Sequence, residues 1–381
     1  VLIGIDASRA TGKCLTGTEL YSREIIHALL QAAPHHRFRL YVRTPQASDF
    51  LRFISSESDA DVEVIPIHQP RLWTHIGLAG ELKARPPDVL FIPAHVLPFS
   101  RPKGLRTVVA IHDVGYRYFP STHPFTQRLY LDLSTAFSAH FATQLIAVSQ
   151  ATQQDLMKFY HVPTSKIVVA HEGLVPLLKV TEQDIISTQS RFNLQPNQPY
   201  FLHIGTLQPR KNLRRLLLAF ATLRDSIQSP ISNLQSPLLV LAGNKGWGAE
   251  DLPALARYLN IADFVRFPGY ITEAEKSALL RGAHAYVFPS LYEGFGLPVL
   301  EAQSIGTPVL CSNTSALPEV AGDGALLFDP SHERSIAAAL QRILLDRDLR
   351  ASLIPRGHAN VQRFSWQAGA RAILEVLEGR E

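Results

Sequence analysis

The sequence predicts an α/β protein built as two open parallel sheets, one in each half of the chain, on three observations. Short β-rich apolar runs alternate with longer amphipathic stretches. The alternation restarts near residue 200 after a polar interval. The 381 residues, 46% hydrophobic and 18% charged, suffice for two cores rather than one.

The first series of runs is Val1 to Ile5, Phe38 to Val42, Val62 to Ile67, Val89 to Ile92, Val108 to Ile111 and Gln144 to Val148. Such runs suit strands covered on both faces by helical crossovers. Between the first two, Thr18 to Ala33 sets Leu20, Ile25, Ile26, Leu29 and Leu30 at near-helical spacing. The second series is Tyr200 to Ile204, Leu238 to Ala242, Val265 to Phe267, Ala285 to Phe288 and Val309 to Cys311, with Ala325 to Phe328 later. The polar stretch Thr181 to Gln198 precedes the fresh strand signal, so domains are expected at 1–175 and 199–363 with a linker at 176–198. The end of the chain, 364–381, reads as an amphipathic helix that can pack back on the first domain. Asp225 to Pro237, rich in Ser, Gln and Pro, is expected to form an exposed loop without a catalytic role.

A net charge of +4 and a pI near 9.0 suit phosphate-bearing substrates or an anionic membrane surface, and the lack of a basic run does not point to nucleic acid. Cys14 and Cys311 fall in different halves and form neither a disulfide framework nor a zinc pattern. The opening Val-Leu-Ile-Gly-Ile-Asp lacks the character of a signal peptide, and apolar stretches stop well short of the roughly 18–20 residues of a membrane span. A cytoplasmic enzyme is expected, compatible with peripheral docking on a membrane through a basic amphipathic face. Asp59-Ala-Asp61 fits a D-x-D metal pattern, but one such triplet in a polar turn carries little information, and no metal is expected.

The densest chemistry lies in Phe288-Pro-Ser-Leu-Tyr-Glu-Gly-Phe-Gly-Leu-Pro-Val-Leu-Glu301, which leaves a strand, passes two glycines and enters a helix. Gly294 and Gly296 let backbone approach a ligand, and the helix start favours oxygen-rich groups. Glu293 stands at the mouth and Glu301 about two turns along, placed to grip two hydroxyl-bearing parts of one ligand. A tight strand-to-helix turn with solvated carboxylates fits the same residues. The second element, Gly205-Thr-Leu-Gln-Pro-Arg-Lys-Asn212, also joins a strand to a helix, so Arg210 and Lys211 can meet a diphosphate with charge and the positive helix end. His112 and Asp113 close the Val108 to Ile111 run, and Gly17 lies in the turn before the first helix.

Glu293 and Glu301 with their FPSLYEGFGLPVLEA surroundings resemble the E-x7-E element of retaining glycosyltransferases of family 4. The GTLQPRKN stretch is similar to the mannosyltransferase-like GTLxPRKN subgroup, although Thr206 stands where many members have arginine. The resemblance extends over nearly the whole chain and implies the GT-B architecture, two Rossmann-like parallel-sheet domains facing a central cleft. It implies a hexosyltransferase that moves a sugar with retention from a nucleotide donor, GDP-mannose before UDP-glucose, to an acceptor hydroxyl on a glycan, a lipid-linked glycan or a small molecule. No cofactor or metal is required in that reading. Carried over residue by residue, the catalytic set is His112, Glu293, Arg210 and Lys211. Gly205, Gly294, Phe295, Gly296 and Leu297 face the donor, with Glu301 on its ribose and Tyr270 and Ile271 at the base. Gly17 lies by the phosphates and acceptor, and Asp113 orients the His112 ring. The competing readings are a GT-B epimerase and a noncatalytic sugar-nucleotide sensor, and paired carboxylates alone would also suit a glycosidase. No expectation of oligomeric state follows.

Overall fold

The computed structural model describes the chain except residues 13–16, 44–49, 51–53, 55–58, 121–123, 197, 228–235, 247–250 and 381. Cys14 and much of the Asp225 to Pro237 stretch therefore lie outside the described residues. Two compact units are present. The first holds Val1–Pro120, Pro124–Gly173 and Phe364–Glu381, and the second holds Leu174–Arg363.

The first unit contains β1 (Leu2–Asp6), β2 (Arg37–Arg43), β3 (Asp61–Ile67), β4 (Val89–Ile92), β5 (Arg106–Ile111), β6 (Gln144–Ala147) and β7 (Ile167–Val169). They form one parallel sheet in the order β3-β2-β1-β4-β5-β6-β7. All six expected runs are strands. β7 was missed because three residues are too few for a run to register. Asp61 sits opposite Arg37 across the β2–β3 pair and accepts its Nε at 2.9 Å, so this member of the D-x-D triplet is spent on a strand-to-strand ion pair.

Helix Gly17–Ala32 buries Ile25, Ile26, Leu29 and Leu30 and is covered in turn by helix Trp366–Glu378. That terminal helix is tied down by His36 Nε2 to Glu378 Oε1 at 2.9 Å and by Arg106, whose guanidinium donates to the carbonyl of Val376 at 2.9 Å. Gly173 is obligatory at this junction, because a Cβ there would lie 2.2 Å from the Trp366 backbone nitrogen.

The second unit contains β8 (Tyr200–Ile204), β9 (Leu238–Ala242), β10 (Val265–Gly269), β11 (Ala285–Phe288), β12 (Val309–Ser312) and β13 (Ala325–Phe328), again parallel, in the order β10-β9-β8-β11-β12-β13. Cys311 is buried on β12 as a free thiol. The polar stretch read as a linker carries helix Glu182–Arg191, which belongs to this unit. It is hard to read because it buries only Thr188. Its order comes from a Thr181/Asp184 capping box and an Arg191–Glu275 ion pair rather than from an apolar face.

In each sheet the chain leaves a central strand pair in opposite directions, at β1/β4 and at β8/β11. In open α/β sheets ligands bind outside the carboxyl ends of such a pair. The loops concerned begin at Asp6 and Ile92 in the first unit, and at Ile204 and Phe288 in the second. Among the described residues no helix is long and apolar enough to cross a membrane. Gly173→Ala should lower unfolding stability by about 1–3 kcal/mol by forcing the terminal helix off its seat. A drop in the urea midpoint at constant m-value checks this, and an unchanged midpoint would show that the seat is loose.

Candidate active site

The loop after β8 runs through Gly205 into a 3-10 turn, Pro209–Lys211, and then into helix Leu213–Ile227. Asn212 makes the bend in a left-handed conformation (φ 59°), and its side-chain amide donates to the Pro330 carbonyl at 2.8 Å. The turn is stitched to the loop after β11 by Leu291 N–H donating to the Arg210 carbonyl at 2.9 Å. The loop after β9 is held against Gly205, where Gly243 (φ 136°) leaves room only because a Cβ would fall 2.0 Å from the Gly205 carbonyl oxygen.

These loops bring Arg210, Lys211 and Glu293 together. Arg210 Nη1 donates to Glu293 Oε2 at 2.8 Å and to the Tyr292 carbonyl at 2.6 Å, while Lys211 Nζ donates to Glu293 Oε1 at 2.7 Å. The Lys211 ammonium also lies 4.8 Å from the centre of the Phe288 ring. Burial alone would raise the pKa of Glu293. The charges of Arg210 and Lys211, with the hydrogen bond from Lys211, outweigh it and hold the carboxyl at about 2. The carboxylate is thus ionised, and two cations on one anion leave a positive excess at the carboxyl ends of β8 and β11.

Gly296 (φ 123°) caps helix Leu297–Ser304, and a Cβ there would come within 2.8 Å of Leu317. Along that helix Glu301 Oε1 accepts from Lys276 Nζ at 2.9 Å, and Lys276 also bridges Glu273 at 2.7 Å. Phe295 is buried, Tyr270 is largely exposed, and the Ile271 side chain belongs to the core, so contact from Ile271 to a ligand would be through its backbone.

The first unit presents a second group. The His112 ring donates from Nε2 to the Pro93 carbonyl at 2.7 Å and turns Nδ1 to Glu172 at 3.5 Å. It stacks at 5.2 Å on His95 and lies edge-on to Tyr21 at 4.5 Å. Asp113 does not hold this ring. Its Oδ1 instead accepts the Gly115 N–H at 2.9 Å, the short-range turn bond that aspartate makes readily, and Glu172 takes the place expected for it. Gly17 opens helix Gly17–Ala32 exposed, with nothing within 4 Å of a notional Cβ. Beside it, a cavity of about 510 Å³ at the β1/β4 switch is lined by Asp6, Arg9, Arg43, Trp73, His75 and His95 among others. The Trp73 indole N–H, His75 Nε2 and His95 Nδ1 are buried there without partners. Leu72 (φ 52°) and His95 (φ 51°), both on its wall, adopt left-handed backbone, the kind of local strain that gathers at ligand sites.

Sequence reasoning missed four residues. Glu172 and Lys276 belong to no motif and act through partners distant in the chain. His95 follows the short strand β4, and burial, with neighbouring His112, pushes its pKa down to about 3. His203, internal to β8, donates from Nδ1 to the Val287 carbonyl at 3.1 Å and keeps an unpartnered Nε2. Burial and then Lys211 push it down to about 4, so it is neutral beside the cations.

Two parallel-sheet units, one with a cationic turn and a carboxylate-flanked glycine turn at its switch point, define an α/β protein with a site suited to a phosphate-bearing ligand. Comparison with known proteins makes the class particular. The profile of Glycosyltransferase Family 4 matches residues 16–176, and that of Glycosyl transferases group 1 matches residues 185–359. The O-antigen chain mannosyltransferase B of Escherichia coli is 32% identical over 69% of this chain and 67% of its own length. The serotype-specific mannosyltransferase WbdA of Escherichia coli is 23% identical over 98% of this chain, which spans only 47% of that relative. Among solved structures, Anabaena HepE in complex with UDP and glucose superposes with a TM-score of 0.71 at 19% identity, covering 99% of each chain, a likeness of fold. The chain belongs to glycosyltransferase family 4, and its fold is GT-B.

Because the folded Glu293 carboxyl titrates near 2, below its value in the unfolded chain, the stabilisation it supplies is complete above about pH 5 and is lost as pH falls toward 2. Thermal unfolding of wild type should therefore steepen its pH dependence between about pH 5 and 3 relative to Glu293→Gln. Equal slopes would mean that the carboxylate is not held by the two cations.

Proposed function

We propose that the chain transfers a mannosyl group from GDP-mannose to an acceptor hydroxyl, with retention at the anomeric carbon and without a metal ion. The observation that carries this is the convergence of Arg210 and Lys211 on Glu293 at the β8/β11 switch. A departing diphosphate develops negative charge, and two fixed, poorly hydrated cations answer it without reorganisation, supplying charge that a divalent ion would otherwise bring. Glu293, Phe295, Gly296 and Leu297 then face the sugar, Gly205 and Gly17 lie by the phosphates, and Glu301 takes the ribose with Lys276 fixing its rotamer. Tyr270 and Ile271 border the base. His112 polarises the reacting centre, its ring set by Pro93 and Glu172.

The mannosyl choice is supported by the names of the O-antigen relatives, and UDP-glucose ranks second because HepE was crystallised with UDP and glucose. Retention rests on the likeness to the E-x7-E element. The acceptor in this reading is a glycan, carried on a lipid or free, reached by a cytoplasmic enzyme that docks on the membrane from outside the bilayer.

A thermal-shift screen of nucleotide sugars should show the largest stabilisation with GDP-mannose, and UDP-glucose ranking first would reassign the donor. Arg210→Ala should lower turnover about 100-fold or more in protein still folded at the assay temperature, although loss of its pair to Glu293 should also lower the melting temperature. Glu301→Ala should chiefly raise KM for donor. Transfer at wild-type rates in both variants would refute the assignments, and loss of transfer on adding EDTA would refute the metal-free reaction.

A further inference from the structure

Helix Trp366–Glu378 ends on a residue of the wrong sign. The carbonyl end of a helix favours a cation, yet the last residue here is Glu378. Gly379 (φ 75°) closes the helix, its N–H donating to the Val376 carbonyl at 3.2 Å while the Arg380 N–H donates to the Glu375 carbonyl at 2.9 Å. This cap, with Arg106 bonded to the Val376 carbonyl, fixes where the carboxylate stands.

Two histidines meet it from the turn between helix Gly17–Ala32 and β2. The His36 N–H donates to the Ala33 carbonyl at 3.1 Å, closing a four-residue turn with Pro34 and His35 at its centre. In a strand, neighbouring side chains face opposite ways, whereas this turn sets the His35 and His36 rings side by side, 4.1 Å between centres. Both direct Nε2 at the same carboxylate oxygen, His36 at 2.9 Å and His35 at 3.9 Å from Glu378 Oε1. The other oxygen, Oε2, accepts from Arg380 Nε at 3.0 Å, which orients the carboxylate. The three ligand atoms all lie within 4.8 Å of one another, the one such gathering of His, Cys, Asp or Glu side chains among the described residues.

We propose that His35, His36 and Glu378 form a site for a divalent transition ion of the zinc type, with water as fourth ligand. Two imidazole nitrogens and one carboxylate oxygen suit zinc, whereas magnesium and calcium take oxygen ligands. Ligands about 2.0–2.2 Å from a tetrahedral zinc stand about 3.3–3.6 Å apart. The two distances to Oε1 straddle that spacing, and the exposed His35 ring is the one that must close in. The ion takes the place of the proton shared between His36 Nε2 and Glu378 Oε1, which passes to solvent, and brings the positive charge that the helix end favours. It would clasp two segments 342 residues apart in sequence, a long closure that holds the terminal helix on the first unit. All three ligands belong to the first unit and the β8/β11 switch to the second, so the clasp takes no part in the proposed transfer, which stays metal-free.

The test uses the full chain without an affinity tag, stripped of metal and then given Zn²⁺, Co²⁺ or Mg²⁺. Zn²⁺ should raise the melting temperature by about 2 °C or more, and Mg²⁺ should not. Co²⁺ should show the visible absorption of a tetrahedral site, and Zn²⁺ should abolish it. His35→Ala and Glu378→Gln should each weaken Zn²⁺ binding about tenfold or more by calorimetry, with donor hydrolysis at the wild-type rate. His35→Ala, which removes an exposed ring, should also leave the metal-free melting temperature unchanged. Full Zn²⁺ affinity in both variants, equal stabilisation by Mg²⁺, or a melting temperature that Zn²⁺ does not move would overturn the clasp. Donor hydrolysis that stops on chelation, while both variants keep the wild-type rate, would overturn the metal-free reaction alone.

Discussion

The site of the second unit depends on one interaction, the sharing of the Glu293 carboxylate between Arg210 and Lys211. All three side chains are mostly buried, and removing ions from water is costly unless each is paired and hydrogen-bonded. The carboxylate meets that condition by receiving one cation on each oxygen, and the arginine adds a bond to the Tyr292 carbonyl. The cations are thereby fixed before any substrate arrives, and the cluster keeps a net positive charge for an incoming anion. Neutralising Glu293 would leave two cations facing each other. The residue that looks like a reaction partner is thus also the clamp that makes an anion site stable when empty.

The backbone around the cluster is arranged to allow it. Gly243 permits the β9 loop to rest on Gly205, Asn212 turns the chain into its helix, and the Leu291 to Arg210 bond ties the two site loops directly. The first unit repeats the plan at β1/β4 with different chemistry. Its cavity holds buried donors and acceptors without partners, and its histidines are stacked rather than ion-paired among themselves. The second unit is therefore shaped to meet concentrated negative charge, while the first keeps buried ring nitrogens in need of partners in a cavity that also carries Arg9 and Arg43.

How much of this was legible in the sequence follows from how local each signal is. Twelve strands announced themselves as apolar runs, and the two site loops did so because strand, glycine or proline, charge and helix follow one another within a few residues. β7 and helix Glu182–Arg191 were not legible, the first for its length and the second because its order lies in a capping box and an ion pair. Within the site, Arg210, Lys211 and Glu293 could be named from motifs, but their mutual contact could not, since it spans more than eighty residues of chain. Glu172 supplanting Asp113 at the His112 ring has the same cause: proximity in sequence suggested the neighbour, and the fold supplied a glutamate sixty positions away.

The central claim, that Arg210 and Lys211 are held ready for a diphosphate, is tested most directly by titration calorimetry with a nucleoside diphosphate and the monophosphate of the same base, on wild type and on Arg210→Gln. The diphosphate should bind wild type about tenfold or more tightly than the monophosphate, and that margin should largely vanish in the variant. An equal preference in both proteins would contradict the claim, because the terminal phosphate would then be bound elsewhere.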